Sequence, residues 1–360
     1  MKKLGCVLLT VAGSFLMTAC DHGGSSFSLL AASQSFNQSV AVVNNKVDIL
    51  FVVDNSGSMG PLQQNLVSNF QSFISNFQSK GYDFRIGVTT SDAYLDGVNF
   101  HNDPTQSKWR DGLTSHTGVF VITPSTPNLN ATFVTNATEG SQGSGDERVF
   151  SSFRDAFNNP LNTGFVRPDS FLSVIILSDE DDFSGDARPE GSWTYPGGIP
   201  DHDYAAPTLD TVTSYVSFLD TLTNTTGSAR RYNVSAITVL DSVCQQAHAQ
   251  QSSSTIIGQR YIDLVNQTNG VLGSICDTSY AQALLNIQAK ILELSTQFRL
   301  NRIPNVSTIV VMVNGVSIPQ DPANCWTYVS STNSIVFHGT GVPAQGASIQ
   351  ISFDPLTAQN

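Results

Sequence analysis

Two nearly uninterrupted apolar runs, each stopped by an aspartate, constrain this chain more than any other feature. Val47-Asp48-Ile49-Leu50-Phe51-Val52-Val53 stops at Asp54, and Phe171-Leu172-Ser173-Val174-Ile175-Ile176-Leu177-Ser178 stops at Asp179. A strand with one wet face alternates apolar and polar residues. A run that is apolar at nearly every position suits a strand covered on both faces, as in a parallel sheet. After the first run comes a Gly-containing loop, and Pro61 then suits the opening turn of a helix. That helix is expected over roughly 61–79, where Leu62, Leu66, Phe70, Phe73, Ile74 and Phe77 recur every three or four residues.

The alternation continues down the chain. Tyr82–Thr90, Gly118–Thr123, Tyr232–Leu240 and Val271–Ile275 read as further strands. Glu147–Phe157, Leu209–Leu222, Arg260–Thr268 and Tyr280–Phe298 read as helices. The stretch before about 117 and the acidic, Gly/Pro-rich text from Asp179 to about 206 read as irregular loops. Strands alternating with helices predict an α/β fold with a doubly wound, mostly parallel, Rossmann-like sheet over residues 44–300. Such sheets take ligands in the crevice beyond the carboxyl ends of their strands. After Pro304 the period changes to short β-type runs: Ser307–Val313, Val316–Ile318, Ser334–Phe337 and Ala347–Phe353. With Asn314-Gly315 as a hairpin turn, residues 303–355 are expected to form a small all-β module.

The 360 residues include 17 Lys+Arg against 29 Asp+Glu, a formal charge of −12. With no basic stripe, that balance disfavours nucleic acid as a partner and favours divalent cations. At the N-terminus, Lys2 and Lys3 precede an apolar stretch from Cys6 to Met17 that is short for a membrane span. Leu16-Met17-Thr18-Ala19-Cys20 resembles a bacterial lipobox, which implies a signal segment at 1–19, lipidation of Cys20 and a membrane anchor. An ordinary secretory signal is the alternative. Residues 20–43, with Gly23-Gly24-Ser25-Ser26, read as a tether. No other apolar run reaches membrane-spanning length.

Three cysteines remain beyond that segment. Cys244 ends the 232–240 strand and Cys276 follows the 271–275 strand, so a parallel sheet brings them close enough for a disulfide. Closing that loop adds roughly 3 kcal/mol by the loop-entropy model; two buried free thiols are the alternative. Cys325, beside Trp326, reads as a small buried hydrophobe.

The chemistry concentrates where the first run stops. Asp54, Ser56 and Ser58 alternate along Asp54-Asn55-Ser56-Gly57-Ser58, offering one anionic and two neutral oxygens. That donor set suits Mg²⁺, Mn²⁺ or Ca²⁺ rather than zinc, and Mg²⁺ is the expected ion. Asp179 stands at the mouth of the second buried strand and can converge on the same point.

Val47–Met59 (VDILFVVDNSGSM) resembles the opening of a von Willebrand factor A (VWA) domain, and Asp54-x-Ser56-x-Ser58 matches that family's metal-ion-dependent adhesion site. The likeness runs over about 44–298 and is closest to bacterial VWA lipoproteins. It implies that Asp54, Ser56, Ser58 and Asp179 ligate the metal, directly or through water. A protein or other macromolecular partner then completes the coordination with a carboxylate. In such domains a Gly-Gly-Thr segment supplies a further hydroxyl. Here the text reads Gly143-Ser144-Gly145-Asp146-Glu147, so either Ser144 replaces that hydroxyl or Glu147 adds a third carboxylate.

Competing chemistries find less support. Asp181, Asp182 and Asp186 miss the EF-hand spacing and read as a solvated acidic loop. The six histidines lie in polar text and read as surface residues. No nucleophile elbow and no phosphate loop is present, so no catalytic set is expected. The resemblance therefore implies metal-dependent binding at a bacterial envelope, periplasmic or on the cell surface. A non-catalytic scaffold with a structural metal is the alternative.

Overall fold

The computed structural model describes residues 36–42, 46–187, 207–249, 255–344 and 346–356. The signal segment, Cys20, the first part of the tether and most of the acidic loop at 188–206 lie outside the described residues.

Both apolar runs are central strands of one parallel sheet. β2 (Lys46–Val53) pairs with β3 (Asp83–Thr90) on one side and β4 (Phe171–Leu177) on the other. Beyond β4 come β5 (Tyr232–Thr238) and β6 (Leu272–Ser274), giving the order β3-β2-β4-β5-β6 with every pairing parallel. Counted along the chain, the sheet grows from β2 to β3, then reverses direction to β4, β5 and β6. The reversal opens a crevice at the carboxyl ends of β2 and β4. One charged residue interrupts the β2 run. Asp48 is fully buried, and Arg167 satisfies it with its backbone N–H (2.7 Å) and its Nε (2.8 Å).

Because side chains alternate along a strand, β2 feeds two cores. Val47, Ile49, Phe51 and Val53 face α1 (Gly60–Ser79), α2 (Leu129–Ala137) and α7 (Ala281–Ser295). Leu50 and Val52 face α3 (Val149–Asn158), α4 (Val212–Thr223) and α6 (Gln259–Gln267). The helices therefore cover both faces, as doubly wound sheets require. α2 was not legible in the sequence. Its buried apolar residues are Leu129, Phe133 and Ala137, and the helix is secured from outside. Phe133 stacks on Phe70 at 3.6 Å and meets Phe51 at 4.9 Å.

The expected strand over 118–123 is reduced to a single antiparallel bridge between Ile122 and Ile86. The next free position on that β3 edge is occupied by Arg110, whose N–H bonds to the Val88 carbonyl at 2.8 Å. The predicted 280–298 helix stops at Ser295, and Phe298–Arg299 forms β7 instead.

The C-terminal part holds two small antiparallel sheets. β8 (Val310–Val313), β9 (Val316–Ile318) and β12 (Ser348–Phe353) form one of them, and β10 (Trp326–Val329) and β11 (Ser334–Phe337) join β7 in the other. The segment read as tether contains β1 (Phe36–Val42), which pairs with β12 and completes the first sheet. Val311, Trp326, Ile335, Phe337 and Phe353 belong to the same apolar cluster as α1 and α7. The described residues thus belong to one compact unit.

Candidate metal centre

β2 and β4 run in register, Val53 beside Leu177, and the Asp54 N–H bonds to the Leu177 carbonyl at 3.0 Å. This pairing brings Asp54 and Asp179 to the reversal point of the sheet. Both are fully buried. Asp54 is held on three sides: Ser56 N–H donates to Oδ1 (2.8 Å), Ser178 Oγ to Oδ2 (2.7 Å) and Ser91 Oγ to Oδ1 (3.3 Å). Its carboxyl is nevertheless pushed up to about 6, by burial first and by the charge of Asp179 second.

The 139–147 segment folds over this loop. Gln63, buried on α1, ties the two together through all of its side-chain groups. Its Nε2 donates to the carbonyls of Asp54 and Gly140, both at 2.8 Å, and its Oε1 accepts from the N–H groups of Glu139 (3.0 Å) and Gly140 (3.1 Å). Gly143 N–H bonds to the Asn55 carbonyl at 2.8 Å. A Cβ at Gly143 would sit 2.5 Å from the Asn55 side chain. Asn55 cannot yield easily, because Asp92 and Ser91 hold its amide at 3.1 and 3.0 Å. Glycine is needed there for close approach.

Ser144 and Glu147 now separate. Ser144 Oγ accepts from the Asp146 N–H at 3.0 Å and lies 3.4 Å from the Tyr94 hydroxyl. Its N–H donates to Asp92. Glu147 is fully buried and neither carboxylate oxygen has a hydrogen-bond partner. It lies within hydrogen-bonding reach of Asp54, so a protonated Glu147 can donate to Asp54, whereas the two ionised carboxylates repel each other. Burial, then the charges of Asp54 and Glu180, push the Glu147 carboxyl well above its ordinary range.

Four oxygens at this place are therefore buried and unpartnered: Ser56 Oγ, Asp179 Oδ1 and both of Glu147. They come from the three segments that the sequence marks as converging. Ser58 is half-buried at the same loop. Among the described residues, no group of three or more His, Cys, Asp or Glu side chains is arranged to hold a metal ion unaided. A donor set here would have to include the serine hydroxyls. The residues fit a hard divalent cation on that condition. Uncompensated buried carboxylates are costly; holding a proton relieves the cost in one way, and a bound cation would relieve it in another.

Two expectations need correction. Asp181 and Asp182 are not solvated; both are fully buried. Asp182 receives the N–H of Phe150 (2.8 Å), the Ser184 hydroxyl (2.7 Å) and the Arg260 guanidinium (3.1 Å). Asp181 accepts the N–H of Arg260 at 3.0 Å. They therefore cap the first turns of α3 and α6, consuming amides that helix geometry leaves free. Nor is His248 a surface residue. It is buried, and its Nε2 lies 2.9 Å from Asp179 Oδ2. It stands four residues after Cys244, the one sequence signal that could have marked it.

Cys244 and Cys276 form a disulfide, and Cys325 is a half-buried free thiol. No helix among the described residues is long and apolar enough to cross a membrane.

No protein-family model matches the chain, and no curated protein matches it. Among solved structures it is similar to the pilus adhesin SpaC of Lactobacillus rhamnosus GG in its open conformation. The identity is 13%, the TM-score is 0.40, and the match covers 86% of this chain and 38% of the adhesin. It is also similar to proximal thread matrix protein 1 of the mussel byssus. That match has 12% identity and a TM-score of 0.38, and covers 74% of this chain and 52% of the other. The chain thus spans well under two thirds of the length of either.

Proposed function

We propose that the chain is a VWA-type, metal-ion-dependent binding protein of a bacterial cell envelope, tethered through a lipid on Cys20. Asp54, Ser56, Ser58, Asp179 and Glu147 would hold a divalent cation, Mg²⁺ before Mn²⁺ or Ca²⁺. Ser144 would shape the loop rather than ligate. The observation that carries this reading is the set of four buried oxygens without partners at the reversal point of the sheet. The protein supplies fixed, hard oxygen donors, and the cation would supply the charge that attracts a macromolecular ligand. The role is binding, not catalysis.

A scaffold role, with the metal serving only the fold, is the competing reading. It is favoured by the complete burial of Asp54, Glu147 and Asp179. Titrating the purified chain with Mn²⁺ by calorimetry tests the metal itself, with Asp54→Ala as control. Absence of heat from the wild-type chain, or equal binding by Asp54→Ala, defeats the metal reading. Retention of envelope components by the immobilised chain in Mg²⁺ but not in EDTA supports adhesion. Equal retention in both, with lower stability in EDTA, leaves the scaffold.

A further inference from the structure

Asp179 has two oxygens in unlike situations. Oδ2 is 2.9 Å from His248 Nε2, while Oδ1 is buried with no partner. An ionised carboxylate can only accept, so the imidazole must donate from Nε2. That donation engages Oδ2 and leaves Oδ1 as the oxygen available to a cation.

His248 is the last residue of α5 (Ser242–His248). Seven residues are too few to hold a helix by their own hydrogen bonds, so α5 depends on external ties. Asp241 caps it, accepting the N–H groups of Val243 (2.9 Å) and Cys244 (2.8 Å). Gln245 donates to the Thr255 carbonyl at 3.1 Å. The covalent tie is the disulfide from Cys244 to Cys276, just beyond β6, with the two Cα atoms 5.7 Å apart. Cys244 and His248 are four residues apart and so share one face of α5. One side chain is bonded to the sheet's edge, and the other reaches its central crevice.

We propose that His248 is a positioning residue for Asp179, and that the Cys244–Cys276 disulfide holds it there, so that cation affinity depends on an intact disulfide. This rests on the metal reading above. A partner that orients a metal-ligating side chain is commonly worth about 10–100-fold in affinity.

The test is Mn²⁺ titration of the purified full chain, with unfolding midpoints recorded in EDTA. His248→Ala should weaken Mn²⁺ binding by about 10–100-fold and lower the midpoint in EDTA as well, because Asp179 Oδ2 loses its donor. His248→Gln, whose amide can also donate, should recover most of the loss. Reducing the disulfide in the folded wild-type chain, with folding checked by circular dichroism, should weaken binding in the same direction. This last measurement carries the test if His248→Ala fails to fold. Wild-type affinity in His248→Ala, no recovery in His248→Gln, or affinity indifferent to reduction overturns the proposal while the metal site stands. Absence of Mn²⁺ binding by the wild-type chain overturns both.

Discussion

Asp179 and Asp182 are three residues apart, equally buried and formally identical, yet their surroundings ask for different things. Asp182 has its charge met by Arg260 and its lone pairs by the Phe150 amide and the Ser184 hydroxyl. At the other position, Asp179 Oδ1, both oxygens of Glu147 and Ser56 Oγ have no partner. Acidic density alone therefore does not set the two places apart. Burial without satisfaction does, and the proposed cation site rests on it. Asp182 is finished by the fold, whereas Asp179 Oδ1, Ser56 Oγ and the Glu147 carboxyl are not.

The contrast can be broken most forcefully at its satisfied end. Asp182→Ala strands the Arg260 guanidinium and frees the Phe150 amide, and should cost about 3–5 kcal/mol. Urea unfolding should find that loss in Mg²⁺ and in EDTA alike. Dependence of the loss on the cation would mean that Asp182 belongs to the metal site.

At the unsatisfied end, the metal-free chain should lose stability as pH rises. The Asp54 carboxyl is raised from 3.8 to about 6. Between those values the folded state keeps a proton that the unfolded state releases. Stability from this group is thus full below pH ~4 and falls by on the order of 3 kcal/mol as pH passes 6. Urea midpoints in EDTA at pH 4.5 and 7.5 should show this, and Asp54→Asn should remove its share. A divalent cation should oppose the trend, since it binds the ionised form.

Glu147→Gln keeps the volume and removes a carboxyl whose ionised form is disfavoured by burial and by Asp54. It should stabilise the metal-free chain at pH 7.5 by about 1–3 kcal/mol and weaken Mn²⁺ binding in the same preparation. Loss of stability in EDTA would place Glu147 among the satisfied groups. The smallest effect is expected at Asp186, whose side chain is 57% exposed in its pair with Arg154. Asp186→Ala should change the unfolding free energy by less than about 1 kcal/mol.

Much of the architecture was legible because burial on both faces leaves a plain signature. Seven of eight residues in β2 and all seven in β4 are buried, and a short, continuous apolar run suits a strand in that setting. The long helices α1 and α7 were legible for a related reason, through their apolar periodicity. What escaped was short or borrowed its stability. α2 is stabilised by stacking with Phe70. β1 exists through pairing with β12, more than three hundred residues away. His248 lies in a seven-residue helix whose sequence has no apolar period to announce it.

By itself, the sequence determined that two buried strands end in aspartates and that a Ser-x-Ser loop follows the first. Those are local matters of hydropathy and spacing, readable within a dozen residues. Only the tertiary structure decided which acidic groups are satisfied. The partners come from far along the chain: Ser178 reaches Asp54 across 124 positions and Arg260 reaches Asp182 across 78. It also set Ser144 and Glu147 apart, by engaging the hydroxyl of one and placing no donor on the carboxyl of the other. Hydrogen-bond satisfaction belongs to the folded arrangement of donors and acceptors, and no sequence window contains it.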